Sequence, residues 1–248
     1  MNKFLDFHCH LEHDAFAKRG MRKIVERMVE KNVFAVNTGY ALEANKRVLA
    51  QCAAFKNLYA AVGLSPHDVP KESLDENLEF AEAHANEIVA IGEIGLDHHH
   101  FKKHLEQKAQ EKAFLAQLEL AEKLGKPVVV HSREAEEKTI EILSSFKNPR
   151  VLHFFLEPKL LGKALDAGLY VSVPTFKSKN QARVLENAPL DRILLETDSP
   201  YGLNTGGVNE PSNVIVSYER LAEFKKMPLK EVALTIFENF KTITKAVA

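Results

Sequence analysis

Val128-Val129-Val130-His131-Ser132-Arg133 runs three β-branched residues straight into a histidine. The same construction recurs as Ile88-Val89-Ala90-Ile91-Gly92-Glu93 and as Ile193-Leu194-Leu195-Glu196-Thr197-Asp198. A strand that is apolar at consecutive positions has both faces covered, as parallel strands flanked by helices do. Eight such runs punctuate the chain: Phe4 to His8, Val33 to Thr38, Leu58 to Leu64, Ile88 to Ile94, Pro127 to His131, Val151 to Phe154, Leu169 to Val173 and Arg192 to Thr197. Between them apolar residues fall at helical spacing, as in Ile24 and Met28 or Leu115, Leu118, Leu120 and Leu124. Strand and helix alternating in this way predict an α/β fold, a closed (β/α)8 TIM-type barrel, with Leu229 to Thr244 as an extra C-terminal helix. An open doubly wound sheet is the alternative, but nothing in the rhythm marks the topological break it needs.

The length agrees. A chain of 248 residues with 45% hydrophobic and 27% charged content is an ordinary globular composition, and one barrel takes about 250 residues. No linker rich in Pro, Gly or Ser divides it, so residues 1–248 read as one domain. The loosest stretch, Ser199 to Ser212, follows the eighth strand and reads as an active-site loop. Cys9 and Cys52 are too few for a disulfide scaffold, which points to a reducing compartment, the cytoplasm. Met1 to His8 lacks the pattern of a secretory signal, and no apolar run approaches the roughly 20 residues of a membrane span. With 33 basic and 34 acidic residues the net charge is -1, which excludes a global attraction to nucleic acid and confines any such contact to a local patch. No obligate protein partner is evident.

The chemistry sits at the strand ends. In Asp6-Phe7-His8-Cys9-His10, alternation sends His8 and His10 to one face and Cys9 to the other. Two imidazoles on one face suit a shared ion, whereas two buried rings without partners would be costly. Glu93, His131, His153 and Asp198 each stand where an apolar strand ends, and in a parallel barrel those ends meet at one mouth. Singly, each has a plainer role as a helix cap or ion-pair partner. Together, six nitrogen and oxygen ligands suffice for two divalent ions about 3.5 to 4 Å apart that share a carboxylate.

The motifs Asp6-Phe7-His8-Cys9-His10-Leu11, Gly92-Glu93-Ile94-Gly95-Leu96-Asp97, Pro127-Val128-Val129-Val130-His131-Ser132-Arg133, Val151-Leu152-His153-Phe154, Leu195-Glu196-Thr197-Asp198-Ser199-Pro200-Tyr201 and Asn209-Glu210-Pro211 stand in this order along the chain. The sequence resembles the TatD family of metal-dependent deoxyribonucleases, within the amidohydrolase-like barrels. The resemblance implies that His8, His10 and Asp198 hold one ion, that His131 and His153 hold a second, and that Glu93 bridges them. Strands one and eight are neighbours in a closed barrel, which agrees with Asp198 joining the strand-one histidines. It further implies one or two divalent ions, zinc, manganese, nickel, cobalt or magnesium, and DNA as substrate. Asp198 and Glu93 are the expected catalytic residues, with Asp198 taking a proton from water activated by the ions.

Two segments depart from the family pattern. The fourth histidine is usually followed by Ser-Gly, whereas here His153 precedes Phe154-Phe155-Leu156-Glu157-Pro158. A Gly-x-His-Pro-His pattern in strand three stands as Gly63-Leu64-Ser65-Pro66-His67, one imidazole short. His67 and Arg133 are the candidate substrate-binding residues; a surface role for His67, and an ion pair of Arg133 with Glu136 or Glu137, are the alternatives. His98, His99 and His100 read as a solvent-exposed loop, and Cys9 and Cys52 as packing residues. Phosphodiester cleavage in DNA is the leading expectation. Amide, ester or lactone hydrolysis by the same metals, and a non-catalytic binding protein, are the others.

Overall fold

The computed structural model describes residues 2–203 and 206–246, and its eight strands form one sheet in sequence order, every neighbouring pair parallel. They are β1 (Phe4–Cys9), β2 (Val33–Thr38), β3 (Leu58–Val62), β4 (Ile88–Gly95), β5 (Val128–His131), β6 (Arg150–Leu152), β7 (Tyr170–Pro174) and β8 (Ile193–Glu196). The sheet closes on itself. Cys9 and Ser199 form a parallel bridge, the His10 N–H donates to the Ser199 carbonyl at 2.7 Å, and the Asp198 N–H donates to the His8 carbonyl at 2.9 Å. This closure rules out the open sheet.

Helices α1 (Asp14–Ala17) and α2 (Met21–Glu30) link β1 to β2. One helix then follows each strand: α3 (Leu42–Ala54), α4 (Leu74–Ala83), α5 (His104–Leu124), α6 (Glu136–Leu143), α7 (Leu161–Asp166), α8 (Lys179–Asn187) and, after β8, α9 (Ile215–Lys225). The added C-terminal helix, α10 (Leu229–Thr244), has the predicted bounds and packs against β1 and β8. Ser73 and Ser178 cap α4 and α8 by accepting the N–H groups of Glu76 and Gln181, the role short hydroxyl side chains favour at helix starts. Among the described residues no helix is long and apolar enough to cross a membrane.

Val128, Val129 and Val130 are wholly buried, as are Ile193, Leu194 and Leu195. Each such side chain contributes about 1.5–3 kcal/mol over exposure. Nearer the start of β1, the β1–β8 seam is sealed by side chains. The buried Tyr218 hydroxyl of α9 accepts the Leu5 N–H at 2.9 Å and donates to the Leu5 carbonyl at 3.0 Å, and Asp6 accepts both the N–H and the hydroxyl of Thr197 at 2.8 and 2.5 Å.

Several strands stop short of their predicted ends, each for a local reason. The third ends at Val62 because the Asn45 side chain takes both the N–H and the carbonyl of Gly63. The fifth starts at Val128, since Pro127 has no N–H to donate. The sixth ends at Leu152, and Phe154 is left-handed at φ 49°, which an extended strand does not admit. Arg192 belongs to a short 3-10 turn, and Thr197 gives its N–H to Asp6 instead of to the sheet.

Candidate metal centre

All six predicted residues meet at the C-terminal mouth of the barrel. His8 and His10 leave β1 on the same side, their Nε2 atoms 3.1 Å apart, while the Cys9 thiol turns the other way to the Val36 carbonyl at 3.5 Å. Asp198 Oδ1 lies 3.7 Å from His8 Nε2 and 3.5 Å from His10 Nε2. On the far side, His131 Nδ1 and His153 Nε2 are 3.3 Å apart.

Glu93 stands between the two histidine pairs with one oxygen toward each. Its Oε1 is 2.9 Å from His131 Nδ1 and 3.2 Å from His153 Nε2, and its Oε2 is 3.9 Å from His8 Nε2 and 3.7 Å from His10 Nε2. Two groupings, His8 with His10 and Asp198, and His8 with Glu93 and His153, are each close enough to hold one divalent ion. Imidazole and carboxylate together suit zinc and its transition-metal neighbours.

Outer groups set the rings. His10 Nδ1 faces the Thr38 carbonyl at 2.8 Å and Glu12 at 3.5 Å. His131 Nε2 faces Asp97 Oδ2 at 2.9 Å, and His153 Nδ1 faces Glu196 Oε1 at 3.5 Å. Fixing one ring nitrogen in this way frees the other to bind an ion. The electrostatics of the cluster show the same design. Burial opposes the charge on Glu93, yet His153 and His131 hold its carboxyl well below the usual range. Burial likewise opposes the imidazolium of His10, but Asp198 and Glu12 raise it well above its ordinary value. Against the same burial, Glu93 and Glu196 lift His153 to about 10, and Asp97 and Glu93 raise His131. His8 goes the opposite way, lowered by burial and by the neighbouring His153 and His10. The buried nitrogens and carboxylates stand close enough to share a cation, and the residues fit a metal centre.

The two candidate substrate residues differ. Arg133, just past β5, is exposed and, among the described residues, makes no ion pair with Glu136 or Glu137. His67 is tied to Asp97, its Nε2 2.8 Å from Oδ2, with its ring edge-on to His131. His100 is also exposed but bonded, its Nδ1 3.0 Å from the same Asp97 oxygen. Lys102 pairs with Glu134 at 2.7 Å, and Lys103 lies 3.8 Å from Glu106. Of the Ser199–Ser212 loop, residues 204 and 205 lie outside the described residues; farther along it, Arg27 of α2 binds Glu210 at 2.8–3.0 Å. Phe154 packs near Phe176 with ring centres 6.4 Å apart, and its N–H donates to Glu196 at 2.7 Å. Burial pushes both thiols up, Cys52 to about 12, in keeping with packing roles.

Asp97 and Glu196 lie inside the strand-end motifs but have no role that the sequence alone assigns. Asp97 could have been found by its place four residues after Glu93, beside a run of histidines. Glu196 carries no local signal, because only the fold brings it to His153.

The profile of the family described as TatD related DNase matches residues 5–245. An uncharacterized metal-dependent hydrolase of Methanocaldococcus jannaschii is 33% identical over 243 residues, covering 96% of this chain and 95% of that protein. The deoxyribonuclease TATDN3 of Homo sapiens is 31% identical over 253 residues, covering 95% and 92%. Among solved structures, the TatD homologue YjjV of Escherichia coli K12 superposes with a TM-score of 0.88 at 27% identity over 98% of both chains. An amidohydrolase of Saccharomyces cerevisiae shares the fold at a TM-score of 0.86 and 19% identity. A family profile spanning nearly the whole chain, over a closed barrel whose mouth gathers these histidines and carboxylates, makes the chain a member of the TatD family of metal-dependent hydrolases.

Proposed function

We propose that this hydrolase cleaves phosphodiester bonds in DNA with two divalent ions, one held by His8, His10 and Asp198, the other by His131 and His153, and both by Glu93. The observation that carries it is the Glu93 carboxylate, whose two oxygens face different histidine pairs. When bound, such ions lower the proton affinity of water and stabilise charge on the attacked phosphate.

The chain's own groups do the rest. Asp198, 15% exposed at its side chain beside the buried His8, is placed to take the proton of the attacking water on a carboxylate oxygen. Asp97 and Glu196 orient His131 and His153 from behind. Arg133 offers a guanidinium to a phosphate oxygen at the mouth. Tyr201, 53% exposed and edge-on to His10 and His13, presents with Phe154 the aromatic faces on which nucleobases stack.

Metal-loaded protein incubated with end-labelled single-stranded and duplex DNA, beside Asp198→Ala, tests this. Cleavage that needs both the metal and Asp198 is the expected result; no metal-dependent cleavage of either strand type overturns it. A panel of amides, esters and lactones run in parallel shows whether the same centre attacks carbonyl carbon instead.

A further inference from the structure

Asp97 carries more neighbours than its oxygens can serve. Its Oδ1 accepts the His100 N–H at 2.7 Å. Its Oδ2 faces three imidazole nitrogens at once: His67 Nε2 at 2.8 Å, His131 Nε2 at 2.9 Å and His100 Nδ1 at 3.0 Å. A carboxylate oxygen has two lone pairs, so three full N–H bonds to Oδ2 exceed its capacity. One of those pairs belongs to His131, whose other nitrogen turns into the metal centre. The remaining pair is claimed by both His67 and His100, and neither ring has another polar partner among the described residues.

A cation resolves the conflict. We propose that His67 Nε2, His100 Nδ1 and Asp97 Oδ2 form a third divalent-cation site on the rim of the mouth, separate from the Glu93 centre. The three atoms lie within 4.8 Å of one another, and the two rings tilt toward each other with centres 4.9 Å apart. Oδ2 then spends one lone pair on the His131 N–H and one on the ion, while two neutral imidazoles supply lone pairs in place of competing protons. Two nitrogens and one carboxylate oxygen at bonds of about 2.0–2.2 Å are the ligand set of an open zinc site, and manganese or cobalt would accept it too. Tetrahedral ligands at those bond lengths sit about 3.3–3.5 Å apart, so the rings must retreat by a few tenths of an ångström from their present 2.8 and 3.0 Å. Both can. The His67 and His100 side chains are 41% and 45% exposed on connecting segments, and the fourth position opens to solvent, where water or a phosphate oxygen completes the ion.

His98-His99-His100 thereby acquires a role for its last member. His99 instead pairs with Glu134 at 2.6 Å, and His98 lies half-buried behind them. The inference does not depend on DNA as substrate or on the Glu93 centre being filled.

Equilibrium dialysis of the full chain against zinc, followed by elemental analysis, counts the ions. Three per chain in the unaltered protein, falling to two in both His67→Asn and His100→Asn with unchanged circular dichroism, is the expected result. An ion count that neither variant lowers overturns the rim site and leaves the Glu93 centre standing; two in the unaltered protein falling to one in both variants keeps the rim site beside a Glu93 centre that holds a single ion. One ion in the unaltered protein, lost in both variants, keeps the rim site and removes the other centre. Should either variant fail to fold, zinc-edge anomalous scattering from crystals of the unaltered chain decides: a peak between His67, His100 and Asp97 supports the site, and density confined to the Glu93 centre overturns it.

Discussion

Glu93 is a single carboxylate serving two histidine pairs, and the residues behind those pairs matter nearly as much as the donors. Glu196 is the cleanest case. Its Oε1 accepts the Phe154 N–H at 2.7 Å and faces His153 Nδ1 at 3.5 Å. Glu196→Gln keeps an acceptor for Phe154 while removing the charge that orients His153. We expect ion affinity to fall by about 10–100-fold, the usual cost of losing such a partner, with little change in the unfolding midpoint; unchanged affinity by calorimetric titration would remove Glu196 from the account. Phe154 shows where residue-by-residue reading reached its limit. By sequence the segment after His153 is only a bulky departure from the family's Ser-Gly pair. The left-handed Phe154 backbone carries its ring toward Phe176 and its N–H toward Glu196.

Elements hold the site through a few exact fits. Gly95, at the end of β4, has φ 136°, and a Cβ there would collide with the His131 carbonyl of β5. Gly95→Ala should therefore push apart the strand ends that carry Glu93 and His131, lowering both the unfolding midpoint and the number of ions bound; a variant with normal metal content would show that the strands absorb the methyl. Across the barrel, Tyr218 of α9 satisfies both backbone groups of Leu5. Tyr218→Phe leaves them buried and unpaired at a cost of about 1–3 kcal/mol, readable in chemical denaturation. If stability is unchanged, the seam does not depend on that hydroxyl. Strand centres were legible in the sequence because a doubly covered strand is apolar throughout. Strand ends were not, because Asn45, Asp6 and the φ of Phe154 set them through contacts that leave no periodic trace.

At the level of the whole molecule, the mouth is a charged cluster buried by the barrel around it, and its proton content links metal binding, stability and pH. Without ions, His10, His131 and His153 have raised values, that of His153 about 10. A raised folded-state value stabilises fully below the unfolded imidazole value of about 6.5 and loses that contribution as pH climbs through the folded one. The ion-free protein should therefore lose stability between pH 7 and 10 from these groups. Ion uptake must displace the same protons, so apparent affinity should rise over that window. Titration calorimetry in buffers of different ionisation enthalpy reads the released protons directly; a heat independent of buffer at pH 7 would contradict this. The closed barrel and the convergence of six histidine and carboxylate side chains at its mouth were written in the sequence, because an apolar run and the polar residue that ends it are both local. Which nitrogen meets which oxygen was not. Asp97 collecting His67 and His131, Glu196 reaching His153, and Tyr218 closing the strand that carries His8 all join residues distant in sequence. Only the packing of nearby strands, and for Tyr218 and Leu5 the closure of the sheet, brings them together.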